Sequence, residues 1–122
     1  MIGYVTLGAN DFARAAKFYD ALLGTLGAKR AMDMETFIAW ATAPGQPMLS
    51  IIKPFDGKAA TVGNGVMVAL AVDSRAKVDA VYKKAMELGA KDEGPVGPRG
   101  DGFYAGYFRD PDGNKLNVFF MG

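Results

Sequence analysis

The sequence predicts an α+β protein in which one arrangement, strand then helix then two or three strands, occurs twice. Three observations predict it. Two stretches repeat each other in order, two amphipathic helical patterns stand at matching places, and two pairs of extended segments are joined by connectors containing Pro and Gly.

The first strand is Tyr4-Val5-Thr6-Leu7-Gly8-Ala9, and Met67-Val68-Ala69-Leu70-Ala71-Val72 repeats it. Each runs into a capping pair, Asn10-Asp11 or Asp73-Ser74, and then into a helical pattern. In the first helix Phe12, Ala15, Ala16, Tyr19, Leu22, Leu23 and Leu26 form the apolar stripe; Asn10 or Asp11 can cap its start, and Gly24 or Gly27 can end it. In the second, Val78, Val81, Tyr82, Ala85 and Leu88 form the stripe between Ser74 and Gly89. Phe18-Tyr19 falls on Val81-Tyr82, and Leu26-Gly27-Ala28-Lys29 on Leu88-Gly89-Ala90-Lys91. Thr36–Thr42 and Met48–Lys53 then flank Ala43-Pro44-Gly45-Gln46-Pro47, and Phe103–Arg109 and Lys115–Met121 flank Asp110-Pro111-Asp112-Gly113-Asn114. Both connectors read as hairpin turns, the second of type I, with Pro at its second position and Gly at its fourth. In this reading Leu49 falls on Leu116 and Trp40 on Tyr107. Asp56–Gly65 is a linker, and Glu93–Gly102, rich in Gly and Pro, is expected to be a mobile loop. The expected organisation is one domain of two modules, about 1–56 and 66–122.

Composition narrows the function. Fourteen basic residues against thirteen acidic ones leave a net charge of +1, so no general attraction to nucleic acid or anionic lipid is expected. The chain has no Cys and no His, which removes thiolate nucleophiles, imidazole bases and the metal sites built from either. No apolar run is long enough to span a membrane, and the first residues do not read as a signal peptide, so a cytoplasmic protein is expected. Asp110-Pro111-Asp112-Gly113-Asn114 opens like a calcium loop, but its Gly is misplaced and Met121 stands where the closing Glu belongs, so a turn is the reading. Arg99-Gly100-Asp101 carries no function here.

Strand parity separates two faces. Val5, Leu7, Ala9, Val68, Leu70 and Val72 suit the helix side. Symmetric turns would pair Trp40 with Ser50 and Tyr107 with Asn117. The face away from the helices then collects Tyr4, Trp40, Met48, Ser50, Ile52, Met67, Tyr107, Arg109, Asn117, Phe119 and Met121. Gly8, Ala69, Ala71 and Ala105 leave room among them. An apolar, aromatic surface with sparse polar groups suits a small-molecule site, a second core or a dimer interface. Trp40 reads as a stacking platform or as core. Arg109 can anchor a ligand anion or pair with Asp110, Asp112 or a neighbouring chain. None of Asp33, Glu35, Asp92, Glu93 and Asp101 stands out as a general base.

The stretches Tyr4–Asp11, Phe18–Gly24 and above all Phe108-Arg109-Asp110-Pro111-Asp112-Gly113-Asn114-Lys115-Leu116 resemble the vicinal oxygen chelate superfamily, which includes glyoxalase I, bleomycin-resistance proteins and extradiol dioxygenases. The resemblance covers almost the whole chain. It implies paired βαβββ modules whose curved mixed sheets enclose a cleft, and it implies a homodimer. Metal-holding members supply one ligand from each of four strands, commonly His or Glu. Those positions fall on Tyr4, Ser50, Met67 and Asn117. A phenol, a hydroxyl, a thioether and an amide bring no negative charge and no imidazole, so no metal and no other cofactor are expected. The reading is a metal-independent small-molecule-binding protein, with ligand contacts from Tyr4, Trp40, Met48, Ser50, Met67, Tyr107, Arg109, Asn117 and Phe119. The alternatives are a lyase or isomerase resembling lactoylglutathione lyase and an interaction module with a filled cleft.

Overall fold

The computed structural model describes all residues from Met1 to Gly122. The chain divides into two compact units, Met1–Val62 and Gly63–Gly122. The first contains β1 (Tyr4–Gly8), α1 (Phe12–Gly24), β2 (Lys29–Asp33), β3 (Phe37–Ala41) and β4 (Met48–Ile52). The second contains β5 (Val68–Ala71), α2 (Arg75–Glu87), β6 (Lys91–Pro98), β7 (Phe103–Arg109) and β8 (Lys115–Met121). Each unit is thus βαβββ, and the class is α+β. No helix is long and apolar enough to cross a membrane.

The two mixed, curved sheets have the same strand order, β1-β4-β3-β2 and β5-β8-β7-β6. In each the opening strand lies parallel to the last, and the remaining neighbours are antiparallel. The helix is the crossover that a parallel pair requires. Asp11, not Asn10, caps α1, accepting the Arg14 N–H at 3.1 Å. Asn10 instead clasps the Ala60 main chain, its Oδ1 accepting the Ala60 N–H at 2.7 Å. Ser74 caps α2 in the same way, through the Lys77 N–H at 3.1 Å. Past each helix a glycine in the left-handed region, Gly27 (φ 78°) or Gly89 (φ 91°), turns the chain back toward the sheet.

The helix stripes cover one sheet face in each unit. In the first unit Leu7, Ile38, Trp40, Leu49 and Ile51 are buried with Ala15, Tyr19, Leu22 and Leu23 of α1. In the second, Phe108, Leu116 and Val118 are buried with Val78, Val81 and Ala85 of α2. The repeat extends to ring contacts. Tyr19 meets Trp40 with ring centroids 5.8 Å apart, and Tyr82 meets Phe108 at 6.4 Å. Gly106 lies where α2 presses closest, since a Cβ there would stand 2.9 Å from the Tyr82 ring and 2.7 Å from Val96.

Two sequence expectations are corrected. Trp40 pairs with Leu49, and Ala39 pairs with Ser50. The connector between β3 and β4 spans residues 42–47, whereas that between β7 and β8 spans 110–114. The first holds one residue more, and a one-residue change of register sends a side chain to the opposite face. Trp40 is therefore the counterpart of Phe108, not of Tyr107. Second, most of the expected Glu93–Gly102 loop is strand. β6 runs to Pro98, and its pairing with β7 shifts between Asp92 and Gly94 and again between Gly94 and Gly97. Bulges take up the glycines, and an edge strand tolerates prolines because one side of its ladder has no partner to serve.

Candidate functional site

The sheet faces turned away from the helices carry the remaining candidates. In the first unit Tyr4 lies beside Met48 and Thr6 beside Ser50 across the β1–β4 pair, with Ala39 on the far side of Ser50. Ser50 is fully buried, and its Oγ donates to the Val5 carbonyl at 2.6 Å. Tyr4 is exposed and meets the edge of Phe37 at 5.9 Å. Met48 also borders an open depression of about 760 Å³ at the end of the sheet, with Lys29, Arg30, Thr42 and Gln46.

In the second unit Ala69, Asn117 and Tyr107 form a row across β5, β8 and β7. Ala71, Phe119 and Ala105 form the next row. Phe119 stacks on Phe103 with centroids 5.4 Å apart, which gives this face an aromatic shelf. Met67 precedes β5 and is exposed. Asn117 is 2% exposed, and its buried Oδ1 has no hydrogen-bond partner. A buried acceptor left unanswered costs about 1–3 kcal/mol. Such an atom is answered in other proteins by an ordered water or by a group that arrives with a ligand.

Trp40 leaves the set of ligand contacts. It is 2% exposed on the α1 side, and its Nε1 donates to Asp20 Oδ1 at 2.9 Å. Asp20 also receives Arg30, whose Nε and Nη2 approach its two oxygens at 2.9 and 2.7 Å. Arg30 lies 6.0 Å from the Trp40 ring centre. The indole is anchored to the helix and offers no platform to a ligand. Arg109 does not pair with Asp110 or Asp112. Its Nε donates to Glu93 at 2.6 Å and its Nη1 to the Gly113 carbonyl at 3.0 Å, so its charge is already answered. Asp110 belongs to the turn, as its Oδ1 accepts the N–H groups of Asp112 and Asn114, each at 2.9 Å.

Two cations absent from the sequence-derived set approach the Tyr107 ring. The Arg99 guanidinium carbon lies 5.5 Å and Lys115 Nζ 5.6 Å from its ring centre. The signal for Lys115 was present: it stands two residues before Asn117 and therefore on the same face. Nothing in the order of residues announced Arg99, because the bulges of β6 set its position.

Three carboxyls are held below the ordinary carboxylate range. Asp20 is lowered chiefly by its hydrogen bonds from Arg30, Glu93 by that from Arg109, and Asp92 by the Tyr82 hydroxyl and then the Gly94 N–H. Tyr82 is pushed up to about 12, first by burial and then by its bond to Asp92. A carboxyl lowered in the folded state adds stability above its unfolded pKa, near 4, and loses it as pH falls through the folded value. The thermal midpoint is therefore expected to fall steadily below about pH 4. Asp20→Asn, followed by calorimetry across that range, should flatten part of the slope; an unchanged slope would remove Asp20 from this account.

The family resemblance puts its metal-holding positions on Tyr4, Ser50, Met67 and Asn117, and the chemistry of these side chains does not fit a divalent transition ion. All four are neutral, and the Ser50 hydroxyl is committed to a main-chain carbonyl. No group of three or more His, Cys, Asp or Glu side chains gathers anywhere in the structure. Stripping water from a doubly charged ion would go uncompensated among such donors.

No protein with a curated description matches the chain. A glyoxalase/bleomycin resistance protein from Albidiferax ferrireducens is 35% identical over 100% of this chain and 99% of its own, with a TM-score of 0.91. A hypothetical protein, SA1046 of S. aureus, is 24% identical over 99% of this chain and 93% of its own, with a TM-score of 0.77. Lactoylglutathione lyase from Agrobacterium tumefaciens is 22% identical over 98% of this chain and 92% of its own, with a TM-score of 0.71. The last two likenesses concern the fold alone. The family described as the Glyoxalase/Bleomycin resistance protein/Dioxygenase superfamily matches residues 1–118, and with its repeated βαβββ units the chain belongs to that superfamily.

Proposed function

We propose that this protein is a metal-independent small-molecule binder of the glyoxalase/bleomycin resistance type, and that it holds its ligand on the helix-free face of the second unit. The observation that carries this reading is the buried, unanswered Oδ1 of Asn117, which a ligand donor reaches once the side chains over it move aside. Tyr107 and Phe119 provide aromatic contact beside it, Met67 a flexible apolar one, and Ala69 and Ala71 leave space. Tyr4, Met48 and Ser50 provide the corresponding surface of the first unit. Ser50 acts there through its shape, since its hydroxyl is engaged. We take the two units as modules of one domain.

Binding assays against a panel of small aromatic and apolar metabolites test this. A ligand at about 100 times its Kd should add about 2.7 kcal/mol of stability, visible as a raised melting temperature. Asn117→Leu supplies the sharper measurement. It removes a stranded acceptor at similar volume, so the free protein should gain on the order of 1 kcal/mol while ligand affinity falls about tenfold. A flat panel, or an Asn117→Leu variant that binds like the parent, would overturn the proposal.

A lyase or isomerase is the second reading, suggested by the likeness to lactoylglutathione lyase. It requires a metal or an acid–base pair, and stoichiometric zinc, nickel or iron in metal-replete protein would favour it. We also infer a homodimer. β1 and β5 each stand at the edge of their sheet, and their outer sides lack a strand partner within the chain.

A further inference from the structure

Along β8 three side chains of different character share one face. Phe119 is apolar and stacked, Asn117 is a buried acceptor without a donor, and Lys115 is a cation. Alternate residues of a strand lie roughly 7 Å apart, so the three are spaced like the parts of a small organic molecule.

The cationic end has no carboxylate in direct contact, and Lys115 acts on Glu93 only at a distance. Lys115 leans over Tyr107, the cross-strand neighbour of Asn117, which brings its charge back toward the Asn117 row. It forms no ion pair, and the nearby Glu93 is taken by Arg109 at 2.6 Å. Arg99 approaches the same ring, and its partners are all main-chain carbonyls. Its Nη1 donates to Gly97 at 3.0 Å and Pro98 at 3.5 Å, and its Nη2 donates to Pro95 at 2.5 Å. Those bonds fix the guanidinium without neutralising it. Gly94 makes this possible: a Cβ there would stand 3.3 Å from the Tyr107 ring and 3.4 Å from Arg99 Nη2. A cation held in place in advance loses little freedom when it meets an anion.

We propose that the ligand is a small amphipathic anion with three parts in order: an aromatic or apolar end on Phe119, an N–H or O–H donor to Asn117 Oδ1, and a carboxylate or phosphate-like group at Lys115 and Arg99. This rests on the binding role proposed above and names the class of molecule bound. N-benzoylglycine has the three parts in that order and serves as the probe. Its neutral amide removes the charge, benzoyloxyacetate replaces the N–H with oxygen, and benzamidomethylphosphonate exchanges the carboxylate for a phosphonate.

Calorimetric titration of the full chain should show N-benzoylglycine or the phosphonate binding saturably, the tighter of the two identifying the anionic group. The neutral amide should bind at least about tenfold more weakly, and affinity should fall as salt is raised. Lys115→Gln and Arg99→Gln should each weaken the anion by about tenfold and leave the neutral amide unchanged. Benzoyloxyacetate should lose affinity for the parent protein but not for Asn117→Leu. Equal affinity for the amide, or indifference to both cation replacements, would overturn the anionic class while leaving a binding role in place. Neutral metabolites binding where no anion does would have the same effect. Failure of every compound, charged or neutral, would remove both readings.

Discussion

Trp40→Ala is expected to cost about 3–5 kcal/mol of folding stability, because it empties the largest buried site in the molecule. Two losses combine. The indole contacts with Tyr19 vanish, and the Asp20 oxygen that accepted Nε1 is left with Arg30 alone. Trp40→Phe should recover most of the packing and none of the hydrogen bond. Urea unfolding gives both numbers. The ligand affinities of Trp40→Ala and of a further variant, Trp40→Leu, also settle the role of this residue, since a stacking platform would surrender affinity in both. A residue of the α1-facing core should change stability while leaving the affinity of any variant that still folds untouched.

Asp110→Ala should cost on the order of 1–3 kcal/mol. Asp110 is buried, and its carboxylate gathers the N–H groups of Asp112 and Asn114 and the side-chain amide of Asn114 within one turn. Removing it strands the buried Asn114 N–H and frees the β7–β8 hairpin from its preset shape. Asp110→Asn keeps one acceptor oxygen and should lie between the two. Thermal unfolding in the presence and absence of calcium separates this turn from a calcium loop. A midpoint that rises by several degrees with millimolar calcium in the parent, and not in Asp110→Ala, would contradict the structural role. An Ala variant as stable as the parent would do the same.

Much of the architecture was legible because it rests on short-range periodicity. The stripes of α1 and α2, the alternation in β1 and β8 and the turn at Asp110–Asn114 each follow from a few neighbouring residues. The pairing of Tyr107 with Asn117 followed from a symmetric odd connector. Trp40 was misplaced by the same logic, because the other connector is even, and its parity depends on a turn geometry that composition does not reveal. β6 was hidden for a different reason: Gly and Pro usually punctuate, and only an edge position with bulges lets them continue a strand. The Asp20–Arg30–Trp40 cluster draws on α1, β2 and β3, so no single window of sequence contains it. Of the cations around Tyr107, Arg99 is not legible in the sequence because it reaches the ring only through the bulges of β6, while Arg109, the more conspicuous cation, spends its charge on Glu93.

The irregular strands at the other rims carry a consequence for assembly. β2 is interrupted between Arg30 and Met32, and β6 is kinked twice and bears prolines. Neither offers the unbroken ladder on which a further chain could template itself. Each sheet can therefore be lengthened from one side only. Growth by strand addition is thereby confined to β1 and β5, so substitutions there, and not in β2 or β6, should decide whether such addition occurs.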